Sequence, residues 1–225
     1  ALYPYYESTT IDPTNKTITV DIPNIQQYAE NSFGKGSNLS IAVTQGEEDN
    51  VLFFKNTCTW FVFYIYGNTT ISKIEFVGKN GEKLAGPARI TASNGSIPTI
   101  EMLSDNPVNL VMDCGVGGVY LGNTEETATE FWFTLPPTTF DNGFDVKATD
   151  VNGITRTIYS HSSSISFKRN IFKRLTSKKL EFNVTQEEIN AIAHAKEKSA
   201  LTALYNATNG DSWENKENWL SDKPV

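Results

Sequence analysis

The sequence predicts an all-β protein, a sandwich of short strands with one helical segment near the C-terminus. Three observations carry that expectation. Of 225 residues, 13 are Phe, 9 Tyr and 4 Trp, and aromatic and β-branched side chains suit pleated, half-buried surfaces. Short strand-like runs recur between turn signals at a spacing of about eight to twelve residues, the signature of a sandwich. Only near the C-terminus does the apolar period change from two to about 3.6.

Residues 1–48 hold a few candidate strands. Tyr3, Tyr5 and Tyr6 surround Pro4 and offer an apolar surface, and Asp12-Pro13-Thr14-Asn15 reads as a turn. Residues 17–22 alternate between polar and β-branched side chains, and 39–43 form a second short run. So few strands cannot bury a core alone. This part is expected to be the C-terminal part of an incomplete first β domain, packed on the domain after it.

Residues 49–178 are read as the main sandwich, with strands near 51–54, 58–66, 71–77, 88–91, 108–113, 131–135, 144–148, 154–159 and 165–168. Asn-Gly pairs at 80–81, 94–95, 142–143 and 152–153 suit turn positions that need φ > 0. The run from Cys58 to Tyr66 is apolar on both faces, so both must be covered; the N-terminal part is expected to cover the outer one. Lys168, Arg169, Lys173, Arg174, Lys178 and Lys179 read as a solvated linker, with a surface for anionic glycans or lipid headgroups as the other reading.

Residues 179–225 contain the helix and are expected to begin a repeat cap. Thr185 with Glu188 three residues on forms a capping box, and Val184 is placed to staple onto Ile189. Ile189, Ile192, Ala193, Ala200, Leu201, Leu204 and Tyr205 make one apolar stripe. Gly210 suits a left-handed closing residue, and Trp213 and Trp219 are the nearest partners for the stripe.

Charge and chemistry narrow the function. The formal net charge is −7 and the pI about 4.9, the opposite of a basic nucleic-acid footprint. There is no apolar run of the ~18 residues that a transmembrane helix needs. Cys58 and Cys114 each border an apolar strand, leaving a disulfide and two buried thiols both open. Two histidines, His161 and His194, stand far apart without a nucleophile elbow or a metal-ligand spacing. No catalytic residue, cofactor or metal ligand is therefore assigned, and the chain is expected not to be an enzyme. What remains is an aromatic-rich β surface, on which Trp132, Glu130, Tyr159, Trp213 and Trp219 are the candidate ligand or partner residues.

An ordered series of motifs resembles a known family. Val51-Leu52-Phe53-Phe54-Lys55-Asn56-Thr57-Cys58, then 71–77 with Gly81-Glu82-Lys83-Leu84-Ala85-Gly86, then Asp113-Cys114-Gly115 lead to Phe131-Trp132-Phe133-Thr134-Leu135-Pro136-Pro137 and Ser166-Phe167-Lys168-Arg169-Asn170. Together these are similar to the second domain of fimbrillin-like surface proteins of Bacteroidetes. The resemblance covers about residues 1–180. It implies Greek-key, transthyretin-like sandwiches, the first lacking its early strands, in a lipoprotein or fimbrial subunit. It also implies display at the cell surface, by an outer-membrane lipid anchor upstream of this chain or in a fimbrium. The implied partners are a host or neighbouring-cell surface protein or glycan, or other fimbrial subunits joined by strand addition. Residues 200–213, continuing through Asn218-Trp219-Leu220, resemble the N-terminal cap of leucine-rich repeats in Bacteroidetes surface proteins, which implies a repeat region behind the sandwich.

Overall fold

Alternation decides where each strand faces. In β3 (Thr17–Ile22) the branched side chains of Ile18, Val20 and Ile22 all point inward and are buried, as the two-residue period of a strand dictates. β3 pairs with β2 (Thr10–Asp12) on one side and β9 (Gly86–Thr91) on the other, and β9 pairs with β10 (Thr99–Met102). The register sets Ile18, Ile90 and Ile100 in one row and Val20, Ala88 and Met102 in the next. A small sheet of β1 (Leu2–Tyr3), β5 (Ser40–Ile41) and β6 (Lys55–Asn56) supplies Ile41, which closes this first core with Leu39 and Cys58.

The second core is aromatic. Phe61, Phe63 and Ile65 of β7 (Thr59–Tyr66) and Phe131, Phe133 and Leu135 of β13 (Thr129–Leu135) are all buried and share one face across a seven-residue antiparallel register. Opposite lies the sheet β16 (Thr155–His161), β15 (Phe144–Asp150), β8 (Thr70–Gly78), β11 (Leu110–Asp113) and β4 (Ile25–Gln27), with β12 (Val119–Tyr120) also on β8. Phe76 of β8 stacks on Phe144 at 4.8 Å and meets Phe61 edge-on at 5.2 Å. The pair β14 (Thr138–Phe140) and β17 (Ile165–Phe167) adds Phe140 and Phe167 to the same cluster. Each such ring pair contributes about 0.5–1.5 kcal/mol beyond its burial. On β8 a bulge at Ser72, whose hydroxyl donates to the Thr149 and Asp150 carbonyls, brings Ile71, Ile74 and Phe76 to the inner face.

The structure, a computed structural model, describes residues 1–44, 46, 48–103, 108–181 and 185–215. Val184, Trp219 and the cap continuation at 218–220 lie outside them. The chain divides into two units, Ala1–Glu181 and Phe182–Val225, and the first is an all-β sandwich. Within it, residues 1–48 give strands to both cores: β3 pairs with β9, while β4 runs parallel to β11.

Several local expectations are corrected. Residues 51–54 are not a strand: pairing begins only at β6, and all four side chains are exposed. The basic cluster is not simply a solvated linker either. β18 (Phe172–Arg174) and β19 (Lys178–Lys179) lie parallel to β7 as its edge, where Leu175 and Leu180 turn inward and Arg169 and Lys178 donate to the Asn56 and Ile158 carbonyls. Cys58 and Cys114 are free thiols. Cys58 is held in the first core, whereas Cys114 follows β11 in the other sheet, its amide bonded to the Ser72 carbonyl.

In the second unit, α1 (Gln186–Ala207) starts at the expected capping box: the Glu188 amide donates to Thr185 Oγ1 at 3.2 Å and the Thr185 amide to Glu188 Oε2 at 3.0 Å. Along the stripe Tyr205 is buried, Ile192 and Leu201 are half-buried, and Ile189 and Leu204 are exposed. The left-handed residue that ends the helix is Asn209 (φ 55°), not Gly210. Gly210 serves close approach instead, since a Cβ there would collide with the buried Tyr205 ring.

Candidate functional site

The outward face of the β7 sheet brings some of the sequence-predicted residues together. Glu130 and Trp132, two apart on β13, lie opposite Tyr64 and Val62. The Tyr64 hydroxyl donates to Glu130 Oε1 at 2.6 Å, and this bond to a carboxylate raises the phenol pKa. Trp132 is half-buried rather than displayed. Phe172 stands edge-on to it at 5.5 Å and Phe33 lies 6.4 Å away. Phe172 also stacks on Trp60 at 4.5 Å, with the Arg174 guanidinium over its ring. The N-terminal segment therefore covers part of this face, as expected, and the C-terminal edge strand covers the rest. The indole nitrogens of Trp60 and Trp132 are buried with no hydrogen-bond partner.

Tyr159 serves the frame. Its hydroxyl donates to the Thr176 carbonyl at 2.6 Å and lies 3.0 Å from the Tyr64 carbonyl, while Lys178 Nζ sits over its ring and donates to the Ile158 carbonyl. Burial pushes its pKa up to about 12. These contacts fasten the 172–180 edge to β7 and β16. Trp213 belongs to the helical unit, packed on Tyr205 at 5.4 Å with Nε1 directed at the Thr208 carbonyl. The structure thus joins Trp132 with Glu130, gives Tyr159 and Trp213 packing roles, and leaves Trp219 outside the described residues.

The larger exposed apolar surface lies elsewhere. Phe53 is 77% exposed and Tyr3 66%, and Val51, Leu52 and Phe54 are exposed as well. Tyr3 meets Phe54 edge-on at 6.5 Å, which joins β1 to the 51–54 run. A groove of about 380 Å³ adjoins it, lined by Val43, Val51, Phe53, Ala92 and Pro98 among others. A second groove, of about 500 Å³, opens between the two sheets of the first core beside Ile11, Ile18, Ile41 and Val43. The charged groups at the first groove are engaged: Lys55 Nζ donates to the Ser96 carbonyl at 2.7 Å, and Asp49 accepts from the Val51 amide at 3.1 Å. Sequence reasoning took 51–54 for a strand. Its signal was an unbroken apolar run with no alternation, set between the acidic stretch 47–49 and Lys55.

His161 Nε2 lies 3.0 Å from Ser163 Oγ, but the pair is two residues apart at a strand end, with the imidazole stacked on Phe144. Among the described residues no group of three or more His, Cys, Asp and Glu is placed to hold a metal ion.

No family model and no curated protein matches the sequence. Among the solved structures the chain is similar to are two candidate cell adhesion proteins. The one from Bacteroides uniformis is 14% identical, with a TM-score of 0.42, over 78% of this chain and 65% of that one. The one from Bacteroides ovatus is 14% identical, with a TM-score of 0.48, over 80% and 61%. The chain therefore spans less than two thirds of the length of either.

Proposed function

We propose that this chain is a non-catalytic binding module of the adhesion type, displayed at a bacterial cell surface. The observation that carries the reading is the run of exposed apolar side chains at 51–54, met by the exposed Tyr3 at Phe54. Monomeric proteins rarely leave more than about 300–600 Å² of contiguous apolar surface in water unless something binds there. The motif series resembling fimbrillin-like proteins supports the cellular setting, with attachment through a lipid upstream of this chain. In the same reading the helical unit caps a leucine-rich-repeat region. The partner is a protein or glycan of a host or neighbouring cell, recognised by aromatic contact rather than by steering charge.

The test is an array of glycans and extracellular-matrix proteins probed with the chain and with Phe53→Asp. Binding that the variant loses supports the reading. Binding that Phe53→Asp leaves intact, or no binding at all, removes this surface from the account.

A second reading, assembly by strand addition, is favoured by the groove between the sheets of the first core and by the two-residue edge strand β1. Head-to-tail addition does not close on itself. An open series of oligomers in native mass spectrometry is its expected mark, and a chain that stops at one or two copies excludes it.

A further inference from the structure

We propose that Asn94 is a modification site, the asparagine that this fold leaves open to deamidation through its neighbour Gly95. The reaction needs only water. The Gly95 nitrogen loses its proton and attacks the carbonyl carbon of the Asn94 side chain, whose bond to the amide nitrogen breaks. Ammonia leaves and a five-membered succinimide remains. Water then opens the ring at either carbonyl, giving aspartate or an isoaspartate whose main chain runs through the former side chain. Glycine favours the attack because no Cβ crowds its nitrogen.

Asn-Gly pairs stand at 80–81, 94–95, 142–143, 152–153 and 209–210, and the structure engages all but the second. The Gly143 and Gly153 amides already donate, to the Phe140 carbonyl at 3.2 Å and the Asp150 carbonyl at 3.0 Å. Asn80 Oδ1 accepts from Asn142 Nδ2 at 3.3 Å, and the Asn80 amide donates to Glu82 Oε2 at 2.9 Å. That carboxylate, held against the turn, opposes loss of the Gly81 proton. Asn209 Nδ2 donates to Ser212 Oγ at 3.2 Å, and Gly210 is buried against the Tyr205 ring. Each hydrogen bond that must break first slows the reaction roughly two- to tenfold. At 94–95 the serines on either side close the turn instead: the Ser96 amide donates to the Ser93 carbonyl at 3.1 Å and the Ser93 hydroxyl to Ser96 Oγ at 2.9 Å. Among the described residues the Asn94 side chain and the Gly95 amide make no hydrogen bond. Both residues are exposed, and nothing stands within 4 Å of where a Cβ on Gly95 would lie. Asn94 also lines both grooves, of about 380 and 500 Å³. Conversion therefore sets a carboxylate at each, and an occupant of either would have to strip water from a charge.

Peptide mapping of the 225-residue chain by mass spectrometry tests this, through a time course in mildly alkaline buffer and in parallel in urea. In the folded chain the Asn94 peptide should convert first, roughly two- to tenfold or more ahead of the other Asn-Gly peptides, to a mixture of aspartate and isoaspartate. In urea, where the bonds of the fold are gone, that lead should vanish. Asn94→Gln, whose longer side chain would have to close a six-membered ring, should stop conversion at the turn and leave the other pairs as they were. An Asn94 that stays an amide in the folded chain, another pair that converts before it, or the same lead in urea as in buffer overturns the proposal.

Discussion

At the scale of single residues, Trp132 shows how a residue chosen for display can be held for packing. Its ring covers Val62 beside Phe33 and Phe172, but its Nε1–H is buried without an acceptor. An unmet buried donor costs about 1–3 kcal/mol, which offsets part of what the ring contributes. Trp132→Phe is therefore expected to alter stability by less than about 1 kcal/mol in urea unfolding, and Trp132→Ala to cost about 3. Gln26 is the reverse case, a buried amide whose oxygen and nitrogen are both hydrogen-bonded. Its Nε2 donates to the Thr134 carbonyl at 2.6 Å and its Oε1 accepts from the Thr134 amide at 3.0 Å, so a side chain closes the edge of β13 as a neighbouring strand would. Gln26→Leu strands both backbone groups and should destabilise by about 2–4 kcal/mol. Tyrosines set the alkaline limit. Burial raises Tyr6 and Tyr159 to about 12, above the unfolded value near 10. Between those values the folded state holds more protons than the unfolded one, so this stability is complete below pH 10 and lost as pH climbs through 12. Absorbance at 295 nm should show these two phenols ionising late, and Tyr159→Phe should reduce the loss.

At the scale of elements, legibility followed the directness of the physical signal. Thr17–Ile22, Thr129–Leu135 and the capping box of α1 are readable because alternation and capping are local. β10, β12, β14, β18 and β19 went unread because tertiary pairing creates them: Thr99–Met102 is a strand only because β9 presents an edge to it. The candidate site was legible in residue type but not in place. Aromatic content announced a sticky surface, yet nothing local says that Phe61 is buried and Phe53 exposed. At the β15–β16 hairpin, Asp150 reaches back to the Asn152 and Ile154 amides at 2.9 and 2.8 Å and to Asn152 Nδ2. Asp150→Ala is expected to cost about 2–3 kcal/mol, and hydrogen exchange should quicken first at Ile154 and its neighbours.

At the scale of the whole molecule, the pairings of β3 with β9 and of β4 with β11 tie residues 1–48 to both cores. Calorimetry is expected to show one transition for residues 1–181, because neither core keeps its sheet once the other opens. A piece comprising only 49–178 would leave β9 without β3 beside it and Ala88 and Ile90 without Ile18, Val20, Leu39 and Ile41 in their core, and should aggregate where the longer chain stays in solution. The hairpin of β9 and β10, which leaves the second core to complete the first, has a mechanical consequence. Two sandwiches in series would lengthen under tension like beads on a string, one giving way and then the other. Here the string is stitched through both beads. A pull between residues 1 and 181 meets a single link that holds its length until it yields in one long step. For a module of the proposed kind, standing between a cell and whatever it grips, that stitch would set the difference between a tether that stretches and one that holds its reach.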